Sequence, residues 1–281
     1  MTLYSMSDWL RILLLALTCV SFAPQLYLLV RRRGDASGIN LNYVLLNLAA
    51  ATELFAISFV VTVNHLEPSD IFIHDPREIG DWINFVNFAA IWVLWLVIFL
   101  VCIVHYWRED RPLATAVVAT YTSFLMISVV PVFVDAIANA DGSSEPSHDR
   151  LMAVAFYIWV HIFFIIPIIT LLSFLAFVVQ ARESLARAPG SGTGALSVMG
   201  VAMQAVVFAI LAATWCPGRL VFEAPNPAPV VWYQRVGFVP VNHAFFALEQ
   251  ALVLVAVERH RRSWRYESAN LPSETQPLIN T

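Results

Sequence analysis

The chain of 281 residues contains no lysine, so all sixteen of its basic residues are arginines. Charged residues make up only 13% of it, about half the share usual in soluble domains. Hydrophobic residues make up 59%, against about 45–50% in such domains. A water-soluble globular body is excluded, and no nucleic-acid partner is expected; the net charge of −4 does not itself bear on that, since what matters is where the arginines sit. Cysteine is scarce as well. Cys19, Cys102 and Cys216 lie in or beside apolar runs, so no disulfide framework joins the polar loops. There is no zinc-ligand spacing, no HExxH, no aspartate-rich prenyltransferase motif and no serine or cysteine nucleophile motif. No metal or cofactor is expected.

What the chain has in abundance is apolar length. Crossing the hydrocarbon core takes about 20 apolar residues. Seven windows qualify: 9–30, 41–63, 83–106, 113–137, 151–180, 195–215 and 236–257. The expected fold is all-α, an integral membrane protein of seven transmembrane helices. The fifth window is long enough to tilt or to extend past the bilayer. A cleaved signal in the first window is not favoured: Asp8 and a lone Arg11 precede the apolar run, and cleavage after Ala23 would leave Pro24 first.

Arginine placement predicts topology. Eleven arginines (31–33, 108, 111, 182, 187, 259, 261, 262 and 265) fall in alternate loops on one side. Arg77, Arg150, Arg219 and Arg235 fall on the other, with the acidic stretches Glu67–Asp81 and Asp141–Asp149. The positive-inside rule then puts the amino terminus outside or in a lumen and the carboxyl terminus in the cytoplasm.

The most organised stretch is Phe22–Asn40, FAPQLYLLVRRRGDASGIN. Pro24 removes a backbone donor inside an apolar helix, which lipid tolerates only where a neighbour or a cavity satisfies the freed carbonyl. Gln25 sets an amide beside that break. Arg31, Arg32 and Arg33 close the run, and Asp35, Ser37 and Gly38 turn the chain into the second helix.

This stretch resembles the signature of the PQ-loop repeat family of small transporters, which includes cystinosin-like and SWEET-like members. Pro24, Gln25, Arg33 and Gly38 match that pattern, whereas Asn40 stands where serine is usual and Ala36 where a small polar residue is. The resemblance implies two parallel three-helix bundles joined by a linker helix, a 3+1+3 arrangement. Its units would be residues 1–111, a linker over 112–150, a degenerate second repeat over 151–257, and a disordered cytoplasmic tail over 258–281. The repeat aligns Pro24 with Pro167, Gly38 with Gly194, Asn87 with Asn242 and His105 with His260. Ile168 follows Pro167, so the second glutamine is missing and Gln25 is expected to act without a symmetric partner.

Polar side chains inside spanning segments are costly and usually face a cavity or a partner. As hinge residues the sequence offers Pro24, Gln25 and Pro167. Proton-coupling candidates are Glu53, Glu249 and His161, since a carboxylate deep in lipid either pairs or takes a proton. Candidates for binding a solute are Asn47, Asn84, Asn87, Gln204, Asn242 and His243. Asn84 and Asn87 share a helix face, as do Asn242 and Glu249, whereas Asn47 and Glu53 do not. Trp92, Trp95 and Trp159 read as lipid-facing packing, and Asp135, His65 and His74 as solvated.

The reading that follows is a transporter of a small polar solute, amino acid-like or sugar-like, working by alternating access with proton coupling as an option. An intramembrane enzyme of the seven-helix terpene cyclase type, with Glu53 and Glu249 as general acids, is the alternative. A sorting or signalling receptor is the third reading. In the tail, Glu274, Leu278 and Ile279 match the acidic dileucine pattern, which implies a sorting adaptor and a lysosomal or vacuolar membrane.

Overall fold

The structure, a computed structural model, describes residues 6–64, 77–139, 147–187, 194–218 and 229–270. His65 and His74, and the sorting pattern at Glu274, Leu278 and Ile279, lie outside them. Among the described residues there are helices and loops and no strand. Seven helices are long and apolar enough to cross a membrane. They are α1 (Asp8–Arg31), α2 (Leu41–Val63), α3 (Ile79–Glu109), α4 (Arg111–Ala138), α5 (His148–Leu185), α6 (Val198–Gly218) and α7 (229–270). All seven expected windows are present, and the protein is an integral, multi-pass membrane protein.

Helix boundaries follow from local chemistry. The Asn40 side chain accepts from the Asn42 N–H (2.9 Å) and starts α2. The Asp110 carboxylate accepts from the Leu113 N–H (3.1 Å), with Pro112 in the first turn of α4. At the end of α1 the chain turns left-handed at Arg33 (φ 54°) and Gly34 (φ 81°). Gly34 N donates to Leu29 O and Arg33 N to Val30 O, the paired bonds that close a helix carboxyl end.

Proline acts differently in each helix. α1 runs unbroken through Pro24. α4 is interrupted at Val129, two residues before Pro131. α5 carries a π-helical turn at His161–Ile165, just ahead of Pro167, and α7 carries another at Tyr233–Gly237, ahead of Pro240. Such turns insert i→i+5 bonds into an α-helix and widen it locally. α7 continues to Asn270, well past Glu258, where disorder was expected. An i,i+4 bond from Arg262 Nε to Glu258 Oε1 (3.1 Å) falls in the extension, and no proline interrupts it before Pro272.

The helices pack in a recurring order. α3 lies against both α1 and α2, and α7 lies against both α5 and α6. Between these sets, α1 packs on α6 and α2 on α5, while α4 rests on α2 and α3. α2 is the most enclosed, with 78% of its apolar window buried, against 22% for α5.

Both ends of the bundle are tied by polar contacts. At the arginine-rich end, Asp35 accepts from the Ser37 N–H (2.9 Å) and hydroxyl (3.2 Å). The Ser37 backbone N–H is the largest influence and lowers the Asp35 pKa from 3.8; burial comes second and pushes it up, and the Ser37 hydroxyl, His105 and Arg32 add smaller downward contributions. At the opposite end, Arg150 grips Asp135 through two bonds (2.8 and 3.0 Å) and donates to the Asn64 carbonyl (3.1 Å). The Asn64 amide also donates to Asp135 (2.8 Å). Asp135 is therefore not solvated: its side chain is 16% exposed and joins α2, α4 and α5.

Two outcomes follow. Arg150→Ala leaves Asp135 and the Asn64 carbonyl short of a donor, and should lower the unfolding free energy in detergent by about 1–3 kcal/mol. An unchanged melting curve would show that the contact contributes nothing. The Asp35 contribution has the sign of a depressed carboxylate: present above the unfolded pKa and lost as pH falls through the folded one. Asp35→Asn should therefore flatten the acid side of the stability profile below pH 3.8, leaving the neutral side parallel to wild type.

Candidate functional site

In α3, Asn84, Asn87, Ile91, Trp95 and Ile98 repeat at three- and four-residue steps, so they form one face. All five are buried. In α7, Asn242, His243, Phe246, Glu249 and Gln250 do the same. These two faces and the polar side of α2 enclose the interior of the bundle. Two small hollows lie along it. The first is lined by Asn47, Trp95, Ser173, Phe208, Asn242 and His243, among others, and leaves about 20 Å³, the room of about one water. The second lies toward the arginine-rich end, is lined by Gln25, Ile39, Tyr43, Trp95, Leu196 and Gln204, and leaves about 10 Å³.

Trp95 belongs to both hollows. It is only 3% exposed and is boxed edge-on by Phe22 (5.6 Å), Tyr43 (5.8 Å) and Phe246 (5.9 Å). The lipid-facing expectation fails for it, because Asn87, Ile91, Trp95 and Phe99, spaced four apart, all point inward. Trp92 is half-buried, stacks on Phe55 (4.4 Å) and donates to the Tyr121 hydroxyl (3.1 Å). Trp159 is 47% exposed, as a lipid-facing residue would be.

The buried carboxylates each have a partner. Glu249 Oε1 accepts from Asn47 Nδ2 (2.8 Å), joining α7 to α2, and the Tyr43 hydroxyl donates to Gln250 Oε1 (3.0 Å) beside it. Glu249 Oε2 and Asn47 Oδ1 have no hydrogen-bond partner. Glu53 pairs with His161 Nδ1, joining α2 to the π turn of α5, and the Tyr157 ring stacks on the imidazole at 3.9 Å. The Glu53–His161 pair is less than 4% exposed on either side. Asn47 and Glu53 thus serve different faces, as their six-residue spacing required.

The asparagines expected to act as a pair are not equivalent. Asn242 donates to the Thr170 hydroxyl (3.1 Å), whereas both amide atoms of Asn87 are buried without a partner. Such a group costs about 1–3 kcal/mol unless something else satisfies it. Asn84 is buried on the same face, His243 stacks against Phe88 (6.1 Å), and Gln204 faces the second hollow with Gln25.

Gln25 also reads the opposite half of the protein. Its Nε2 donates to the Ala195 carbonyl (2.8 Å), and its Oε1 accepts from the Ser197 N–H (2.8 Å). Gln180 of α5 does the same in return. Its Nε2 donates to the Gly38 carbonyl (2.8 Å), and its Oε1 accepts from the Asn40 N–H (2.9 Å). The expectation that Gln25 lacks a symmetric partner is therefore overturned. The signal was present in the spacing. Gln180 lies 155 residues after Gln25, the separation of Asn87 from Asn242 and of His105 from His260. Anchoring the alignment on Pro167 hid it, because Val179 stands where a proline would. Sequence reasoning also missed Tyr43, Thr170, Ser173 and Gln250, which are unremarkable until the fold brings them to the interior.

Residues 6–64, covering α1, α2 and the loop between them, match the family model of the PQ loop repeat. No curated protein and no solved structure matches the chain significantly.

The Glu53–His161 contact makes a measurable prediction. Removing one partner strands the other in a dry interior, so His161→Phe and Glu53→Leu should each cost on the order of 3–5 kcal/mol in detergent. The double variant should be less destabilised than the sum, with a coupling of at least about 1 kcal/mol. Additive losses would show that the two groups do not interact.

Proposed function

We propose that this PQ-loop repeat protein carries a small polar solute across a membrane by alternating access. The observation behind the reading is the interior path itself. Polar side chains from α2, α5 and α7 line one small hollow and those from α1, α2 and α6 line the other, with Trp95 of α3 in both, between the helix sets α1–α3 and α5–α7. The exchange of contacts, α1 on α6 and α2 on α5, is what a two-fold relation between two such sets would produce. It supports the 3+1+3 reading with α4 as linker. The arginine distribution supports an amino terminus outside or in a lumen.

In this reading the solute is held near Trp95, with amides from Asn47, Asn87 and Asn242 supplying donors and acceptors. Both unpartnered atoms of Asn87 would be satisfied by a ligand bearing hydroxyl, amino or carbonyl groups. Pro24 and Pro167 let α1 and α5 bend as the halves rock. Two carboxylates are placed to couple a proton. Glu249 keeps one oxygen unpartnered beside Asn47, and Glu53 can pass a proton to or from His161. The arrangement gives less support to a cyclase, because Glu53 and Glu249 engage separate helix pairs and neither lines these two hollows.

The test is flux. Purified protein in liposomes, given a panel of neutral and charged amino acids and sugars at two pH values, should move at least one of them. A gradient-driven component should vanish in Glu53→Gln or in Glu249→Gln, whichever residue carries the proton, while exchange at equal pH persists. Pro24→Leu should insert normally and lose at least ten-fold in flux. Turnover of a polyprenyl substrate without solute movement would overturn the transport reading, and a fully active Pro24→Leu would remove the hinge from it.

A further inference from the structure

The reciprocal glutamines carry a conclusion about gating, which rests on the transport reading above. Each amide bonds the carbonyl of one residue and the N–H of the residue two later, and so encloses a single residue between its bonds. For Gln25 the enclosed residue is Leu196, and for Gln180 it is Ile39. Both enclosed side chains are 2% exposed, and both line the hollow nearer the arginine-rich end. The clamps therefore hold two apolar plugs across that end of the path. We propose that Gln25 and Gln180 are paired latches, and that opening the arginine-rich end requires both amides to release their backbone partners.

The surroundings of the two amides fit this role. Gln25 belongs to the α1–α3 set but grips the entry to α6, and Gln180 belongs to the α5–α7 set but grips the entry to α2. Each latch thus crosses the interface that alternating access must part. The two gripped loops also touch each other, through a bond from Ala195 N to the Ser37 carbonyl (2.7 Å). Gly194 makes that approach possible: at φ +64° it needs no Cβ, and a Cβ would collide with the Ser37 carbonyl. On release, each amide has polar company. Ser184 Oγ already stands 3.3 Å from Gln180 Nε2, and Gln204 faces the hollow that Gln25 lines.

The experiment measures access from each side. In a background lacking Cys19, Cys102 and Cys216, a reporter Val201→Cys sits in the hollow behind the plugs, and a separate reporter Asn84→Cys sits toward the opposite end. A membrane-impermeant maleimide is applied to vesicles of each orientation. Gln180→Ala should raise labelling of the Val201 reporter from the arginine-rich side at least ten-fold, and should leave unchanged or lower that of the Asn84 reporter from the other side. Gln25→Ala should act alike, and the two together should act multiplicatively. Gln180→Met, which keeps the side chain's length and loses both bonds, covers the case in which the alanine variant does not fold, and the same rise is expected of it.

Unchanged labelling in both Gln180→Ala and Gln180→Met would overturn the latch and leave the glutamine a static cap. So would a rise at both ends, which marks a loosened fold. Flux assayed in the same vesicles judges the transport reading separately. A chain that moves no solute can still show the one-sided rise, and a transporter can lack it.

Discussion

Within the apolar slab, every polar group that leaves water must find its partner inside the protein, and the remainder of this structure answers to that demand. It is why α2, which carries Asn47, Thr52, Glu53, Ser58 and Thr62 within an apolar span, is the most enclosed helix and not one turned to lipid. Its polar side chains are distributed among neighbours: Asn47 to α7, Thr52 to the Tyr121 hydroxyl of α4, and Glu53 to α5. The links of Asn47 and Thr52 are modest singly, about 0.6 kcal/mol on average for hydrogen bonds between spanning helices, and the Glu53–His161 pair is the stronger one. Their value lies in direction. They fix which face of each helix looks inward, which packing among apolar side chains of similar shape would leave loosely defined.

The same demand explains the two ends. Helix termini and loops carry unpaired backbone groups, and here side chains from distant elements complete them. Gln25 and Gln180 complete the loops at the arginine-rich end, and Arg150 with Asn64 and Asp135 completes the other. With both ends tied, the two hollows along the interior are reduced to about the size of one water.

Much of this was legible in the sequence because membrane spans are specified by length and composition. All seven helices and the PQ stretch could be located from residues alone. The inward position of Asn84, Asn87, Glu53, Asn242 and Glu249 followed from the cost of polar groups in lipid. What was not legible was partnership. Nothing in the spacing of Asn47 and Glu249, or of Glu53 and His161, says that they meet, since such pairs are created by helix order and rotation. Trp95 was misread because aromatic residues are common both at lipid and in cores, and only its phase with Asn87 and Ile91 distinguishes it. Gln180 was missed because proline, the conspicuous residue of the motif, was taken as its essential part.

That last point bears on how such a chain can change over time. What the clamps grip is main chain: a carbonyl and an N–H that any non-proline residue supplies at those positions. The side chains of the gripped loops are therefore released from the bonding itself. Asparagine at 40 and alanine at 36, which blur the likeness to the family pattern, cost the clamps nothing. Proline at Asn40 or Ser197, lacking the donor, would be the one substitution the bonding forbids outright. A pattern search built on loop residues will thus undercount chains of this architecture, whereas one that looks for a buried glutamine at the same place in both halves would find them.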